Sequence, residues 1–386
     1  MIPNSRARRP ASAHASRGQA PVRHGGQRSA PRRSPPTTPV ALRPSSTLVR
    51  DVLREYGALA NTRVRKYLHA PEGTHRHPLY DLAADYPGRG GRALRASLCI
   101  ATARAFGAAP EDAVNSAAAL EMMHNAFLVH DDVEDDSEER RGLPTLHVLH
   151  GVPIAINVGD ALAVMSLRPL IDNRASLGPR VSLRILEEAE RMARESVEGQ
   201  AIELAWRRDN VLALAEEDYL RMILKKTCWY TIIYPVRVGA LIGTRDGIQL
   251  DPFVRFGFFV GAAFQIQDDL LNLIGDKRRY GKELDGDLWE GKRTLMVIRL
   301  LNEATPTERE RVVSFLALPR HEKQKSEVRW IRERMDAHRC VDYAREVAHG
   351  LAGAALHEFS QVFAHLPDTR DKQFLQSLAV WALDRA

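Results

Sequence analysis

Residues 120–142, LEMMHNAFLVHDDVEDDSEERRG, contain the stretch that decides the fold. Leu120, Met123, His124, Phe127 and Leu128 recur at three- and four-residue spacing, which marks one face of a helix, and the same register runs on to Asp131 and Asp135. Two carboxylates thus share a face with apolar residues and are expected to point inward. A second stretch, FQIQDDLLNLIGD at residues 264–276, repeats the pattern: Phe253, Val260 and Phe264 lead along one face to Asp268 and Asn272. Carboxylates buried without partners cost on the order of several kcal/mol each, so something positive belongs between the two helices. Hard divalent cations with oxygen ligands fill that role.

Apolar residues keep helical spacing from about residue 46 to the end, with no strand-like alternation and no internal repeat. The expectation is all-α, a single domain over residues 46–386. Residues 1–45 are rich in Arg, Pro, Ser, Gly and Ala and are read as a disordered basic tail. That tail misleads the overall charge. Residues 1–50 hold ten Arg and no acid, so a net charge of +6 for the chain leaves −4 on residues 51–386. The tail's composition also suits an organelle transit peptide, but Arg outnumbers Lys 46 to 9 throughout the chain, so the bias is not local. No nucleic-acid partner is expected from a body of this charge.

Cys99, Cys228 and Cys340 are odd in number and scattered, which suggests neither a disulfide framework nor a zinc site. A reducing, cytoplasmic setting is expected. No run of about 18 apolar residues exists and the N-terminus has no apolar signal core, so stable membrane insertion is not expected.

Basic residues bracket both acidic pairs. Arg140 and Arg141 follow the first, and guanidiniums beside a metal-binding carboxylate pair suit a diphosphate, whose oxygens accept bidentate contacts. Upstream, PGRGGRALRASL at residues 87–98 offers Gly90 and Gly91 for close backbone approach, with Arg92 and Arg95 three apart at a helix start. That is a second anion site without carboxylates. LKKTCWY at residues 224–230 adds Lys225, Lys226 and Thr227, and RRYGKELDGDLWEGKRTL at residues 278–295 adds Lys282 and Lys292. Alone, a DDxxD string is more often a solvated face, His124 a core histidine, and Met123 and Phe127 plain core. Two inward acidic pairs 137 residues apart, each with its own basic segment, make decoration improbable.

At these residues the chain resembles the trans-type polyprenyl diphosphate synthases. GGRALRA matches the family's GGKRxRP, HNAFLVHDDVEDDSEERRGLPT its first aspartate-rich region, LKKT its KT motif, and FQIQDDLLNLIGD with YGKELDGDLWEGKRTL its second region. The resemblance covers residues 48–386 and implies an antiparallel helix bundle around a central cavity, commonly a homodimer. It implies three Mg²⁺ ions, two held by Asp131 and Asp135 and one by Asp268, with Asp132 and Asp269 as near or water-mediated supports. It assigns Arg140, Lys226 and Lys282 to an allylic diphosphate, and Gly91, Arg92, Arg95, His124 and Arg141 to isopentenyl diphosphate. Thr227 and Gln265 would face the carbocation, with Phe264 beside the reacting carbons. The implied product is short, geranylgeranyl diphosphate first and farnesyl diphosphate next, with Met123, Ala126 and Phe127 as the floor that sets length. Two departures stand out: Arg92 and Ala93 replace Lys and Arg, and Asn272 replaces the third Asp of the second region. A terpene cyclase or squalene-synthase-like enzyme is the rival within the same fold. It needs no isopentenyl site, so Arg92, Arg95 and Arg141 count against it.

Overall fold

The first acidic stretch lies on helix α5 (Pro110–Glu134), and the way that helix is built explains its position in the fold. Pro110 opens it, Glu111 and Asp112 sit in its first turn, and the Asp112 carboxylate accepts from the Ala109 backbone N–H at 3.3 Å. Ala113, Ala117, Ala118 and Ala119 are buried, and their small size lets neighbouring helices approach from several sides. α5 is therefore enclosed rather than amphipathic. Its Ala118–Met122–Ala126–Val129 side packs in one apolar cluster, while Met123 and Phe127 face another.

The structure is a computed structural model and describes residues 46–70, 78–275 and 283–384. The expected tail 1–45 and Lys282 lie outside the described residues. Before α5 come α1 (Ser46–Tyr67), the short α2 (Pro78–Ala83) and α3 (Asp85–Gly88), and α4 (Leu94–Ala105). After it follow α6 (Leu146–His150), α7 (Val152–Met165), α8 (Leu167–Arg208) and α9 (Glu216–Ile223). A π-helical segment, Leu224–Ile233, then leads into α10 (Tyr234–Gly243) and α11 (Pro252–Ile274), which carries the second acidic stretch. α12 (Gly286–Glu290), α13 (Leu295–Glu303), α14 (Pro306–Ala317), α15 (Lys325–Ala337), α16 (Cys340–Val362) and α17 (Arg370–Trp381) complete the bundle. α5 packs on α4, α7 and α8, while α11 packs on the π segment and α16.

One small hairpin interrupts the all-α expectation. Glu139–Arg140 pairs antiparallel with Leu143–Pro144 across a turn in which Arg141 and Gly142 both take positive φ. Gly142 thus closes a hairpin beyond the end of α5 at Glu134.

α8 is broken at Gly178, where φ is +80° and Pro179 follows. Farther along, α8 crosses the π segment at Gly199. A Cβ there would lie 2.2 Å from the backbone nitrogen of Lys226, so only glycine permits the crossing. The helical run Val152–Arg208 is long and apolar enough by length and composition to cross a membrane, although 39% of its most apolar stretch is buried in the bundle and Asp160 interrupts it. The sequence shows no apolar run of that length because Asp160 and Arg168 break it.

Candidate active site

Asp131 from α5 and Asp268 from α11 line the same cavity, of about 370 Å³. Lys226, Thr227 and Tyr230 reach it from the π segment, a wide-turned geometry common at functional sites. A second cavity, of about 490 Å³, is lined by Gly91, Arg92, Arg95, His124 and Arg141. Leu128, Arg140, Thr227, Tyr230, Gln265 and Asp268 border both, so the two cavities share a wall.

Cations answer the carboxylates in the first cavity and beside it, where Asp135 and Glu290 line a smaller adjoining pocket with Asp131. Lys226 Nζ donates to Asp131 at 3.3 Å and to Glu203, and Lys292 Nζ donates to Asp135 at 2.7 Å and Glu290 at 2.6 Å. Arg207 also pairs with Asp135. Burial alone would pull both ammoniums down. The carboxylates more than reverse that and hold both well above the ordinary lysine range, Glu203 and Asp131 acting on Lys226, Asp135 and Glu290 on Lys292. Lys225 turns the other way and ties the π segment to Glu195 and Glu198 of α8.

Asp132 and Asp269 stand about 100° round their helices from Asp131 and Asp268 and take different partners. Asp132 is fully buried and accepts from Tyr86 Oη at 2.6 Å and from Arg140 Nε at 2.9 Å. Asp269 accepts from Tyr219 Oη at 2.7 Å and Gln265 Nε2 at 2.7 Å. Burial pushes the Asp269 carboxyl up to about 7, against the pull of those two hydrogen bonds. Both carboxylates are committed to protein donors, so they hold Arg140 and Gln265 in place.

In the second cavity Arg95 donates to Thr231 Oγ1 at 2.9 Å and stacks over the Tyr230 ring at 4.3 Å. Its Nε is buried without a hydrogen-bond partner among the described residues, a donor that an anionic ligand would satisfy. The Arg141 guanidinium lies against Gly91, where an added Cβ would sit 3.1 Å from it. Arg92 is exposed, with its guanidinium 5.8 Å from the Trp381 ring. Ala93 packs in the core at the head of α4.

Of the expected floor residues, Phe127 lines the first cavity with Tyr230 edge-on at 5.6 Å. Ala126 is a correction: it lies 1% exposed in the cluster against α7, because the 3.6-residue repeat carries it round to the other side. Asn272 is also accounted for. Its Oδ1 accepts from the Asp287 backbone at 3.1 Å and its carbonyl from Asp285 at 2.9 Å, so it anchors the segment leading into α12.

Sequence reasoning missed Tyr86, Tyr219, Gln200, Glu203 and Arg207. The last three carried a readable signal: in EGQAIELAWR they fall at three- and four-residue spacing on one face of α8. The tyrosines had none, since their partners lie 46 and 50 residues away.

Among the described residues, no three His, Cys, Asp or Glu side chains are gathered closely enough to hold an ion by themselves. Octahedral Mg²⁺ takes one or two carboxylates and fills its sphere with water and phosphate oxygens, so the hard, sparse donor set of Asp131, Asp135 and Asp268 fits ions that bind together with a diphosphate. An acid-walled cavity sharing a wall with an arginine-lined one, inside an all-helical body, defines a class: enzymes that bring two polyanions together.

Residues 77–335 match the family described as polyprenyl synthetase. The short chain isoprenyl diphosphate synthase of Methanothermobacter thermautotrophicus is 35% identical over 302 residues, 78% of this chain and 88% of its own length. The geranylgeranyl diphosphate synthase of Saccharolobus solfataricus is 32% identical over 273 residues, 71% of this chain and 80% of its own. The crystal structure of geranylgeranyl pyrophosphate synthetase from Pyrococcus horikoshii superposes with a TM-score of 0.76 at 30% identity, covering 88% of this chain and 99% of that one. The chain belongs to the polyprenyl synthetase family.

Proposed function

We propose that the protein is a Mg²⁺-dependent prenyltransferase that condenses isopentenyl diphosphate head to tail with an allylic diphosphate, giving geranylgeranyl diphosphate as its main product. The observation that carries this reading is the shared wall: Thr227, Gln265 and Asp268 border both the acid-walled and the arginine-lined cavity. Three Mg²⁺ ions, held by Asp131, Asp135 and Asp268, would supply neutralising charge to the diphosphate oxygens.

As the allylic C–O bond breaks, its electron pair leaves with the pyrophosphate oxygen. Arg140, Lys226 and Lys292 face that developing charge; Lys282, outside the described residues, is assigned to the same diphosphate by the family resemblance alone. Thr227 and Gln265 present dipoles to the carbon left positive, with Phe264 close by. Gly91, Arg92, Arg95, His124 and Arg141 hold isopentenyl diphosphate in the adjoining cavity, so its double bond meets the cation across the shared wall. The π electrons form the new C–C bond, and a proton leaves the neighbouring carbon for the departing pyrophosphate.

A homodimer belongs to the same reading. Val148, Leu149, Val152, Ile154, Ile156 and Val164 are exposed on α6 and α7, and a second copy of this chain is the partner we assign to that apolar face. The three buried free cysteines are compatible with a cytoplasmic setting.

The test is incubation with isopentenyl diphosphate, Mg²⁺ and each of dimethylallyl, geranyl and farnesyl diphosphate, with products sized by mass spectrometry. A twenty-carbon diphosphate is expected. Release of a cyclised hydrocarbon with isopentenyl diphosphate left unconsumed would overturn the assignment.

A further inference from the structure

Four side chains form one hydrogen-bonded line along the wall of the acid-walled cavity. Thr227 Oγ1 donates to Gln265 Oε1 at 2.9 Å, Gln265 Nε2 donates to Asp269 Oδ1 at 2.7 Å, and Tyr219 Oη donates to Asp269 Oδ2 at 2.7 Å. Thr227 and Gln265 border both cavities, whereas Asp269, 7% exposed, and Tyr219, 1% exposed, border the acid-walled one alone. In its ionised form the Asp269 carboxylate only accepts, so it dictates which end of the Gln265 carboxamide turns toward it. The NH₂ must face Asp269, which leaves the oxygen toward Thr227. Thr227 spends its proton on that oxygen, so its own lone pairs stay turned toward the cavity.

We infer that Tyr219 is a positioning residue: through Asp269 it fixes the carboxamide of Gln265, so that the electron-rich ends of Gln265 and Thr227 face the carbon that becomes cationic. Without this chain the amide can rotate by half a turn and present its positive NH₂ end to the same place, with Thr227 accepting instead. Such an inversion opposes ionisation but leaves the diphosphate contacts at Lys226, Arg140 and the arginine-lined cavity untouched. Asp269, adjacent in sequence to the proposed metal ligand Asp268, then acts through Gln265 rather than on an ion. The inference rests on the proposed prenyl transfer and deepens its account of cation stabilisation.

The test compares Tyr219→Phe, Asp269→Ala and Asp269→Asn with the wild type. Phe keeps the buried ring and removes only the donor. Asn keeps the chain, because its oxygen can accept from Gln265 while its NH₂ donates to the Tyr219 oxygen. In steady-state assays Tyr219→Phe should lower kcat about tenfold, as expected for one oriented hydrogen bond. KM for both diphosphates and the Mg²⁺ concentration for half-activity should not change, and calorimetric binding of inorganic pyrophosphate with Mg²⁺ should match wild type. Asp269→Ala should lose more, and Asp269→Asn should recover most of that loss. A wild-type kcat in Tyr219→Phe overturns the inference. So does a raised Mg²⁺ requirement in Tyr219→Phe or Asp269→Asn, or an Asn variant as impaired as Ala. A wild-type enzyme that fails to condense the two diphosphates refutes the prenyltransferase reading itself, a separate result.

Discussion

The two acidic pairs follow one plan with different companions. Each sets its first aspartate on the cavity and buries its second under a tyrosine from another helix, Tyr86 at 2.6 Å from Asp132 and Tyr219 at 2.7 Å from Asp269. The remaining donor is a cation in one case and a neutral amide in the other: Arg140 for Asp132, Gln265 for Asp269. On the proposed mechanism the first pair would fix a charge where the leaving group gathers electrons, and the second a dipole where the carbon loses them. The same local motif, DD on an inward helical face, would then serve opposite ends of one breaking bond.

The largest expected effect tests what the pairs share. Asp131→Ala and Asp268→Ala should each lower kcat by about a hundredfold to a thousandfold, the scale for removing one preorganised electrostatic group, with the helical circular dichroism unchanged. A near-normal rate in either variant would show that only one wall handles the diphosphate.

Stability should separate the buried members. Asp132→Ala leaves Arg140, 6% exposed, with Asp131 at 3.6 Å in place of its main partner, and breaking a buried ion pair costs about 3–5 kcal/mol. Asp269→Ala strands two neutral donors, which costs about 1–3 kcal/mol. Urea unfolding of the two variants measures the gap, and equal losses would erase the distinction between a charged and a neutral companion.

One turn before each first aspartate stands a phenylalanine, and the two serve different cavities. Phe127 lines the acid-walled one and Phe264 the arginine-lined one. Phe127→Ala should lengthen the product by at least one isoprene unit, while Phe264→Ala should slow condensation without changing length. Mass spectrometry of both product sets decides this, and a longer product from Phe264→Ala would place the floor on the wrong helix.

How much of this could be read in the chain follows from the range of each interaction. Helical spacing is local, so the faces carrying Asp131, Asp268, His124 and Phe127 were legible in residues 120–142 and 253–272. The choice between Asp131 and Asp132 was also legible, because neighbours on a helix cannot share a face. What Asp132 and Asp269 contact was not, since Tyr86 and Tyr219 lie on α3 and α9, and only tertiary packing brings them in. The placement of Ala126 failed for the opposite reason. Counting back from Asp131 treats residues four and five away alike, yet α5 is enclosed on all sides and one residue of rotation moves a side chain from the cavity to the α7 cluster.

The smallest effect concerns the segment after the second pair, where two lysines meet opposite surroundings. Lys292 sits among carboxylates, whereas among the described residues Lys323 Nζ donates to carbonyls alone, Leu288 at 3.1 Å and Trp289 at 2.8 Å, and lies 5.0 Å from the Phe315 ring. Burial, and then the charges of Arg207, Arg293 and Arg320, lower Lys323 to about 7 from its ordinary 10.5. Between those two values the unfolded chain keeps a proton that the folded chain has released, so the free energy of unfolding rises with pH across that window. Below the lower value both states are protonated and the full cost of burying the ammonium is felt. Lys323→Met has no such proton to exchange. Urea midpoints taken at about pH 7 and about pH 9 should therefore climb in the wild type relative to the variant. Parallel behaviour of the two proteins would mean that Lys323 stays charged when folded, and that its carbonyl partners hold the ammonium as firmly as the carboxylates hold Lys292.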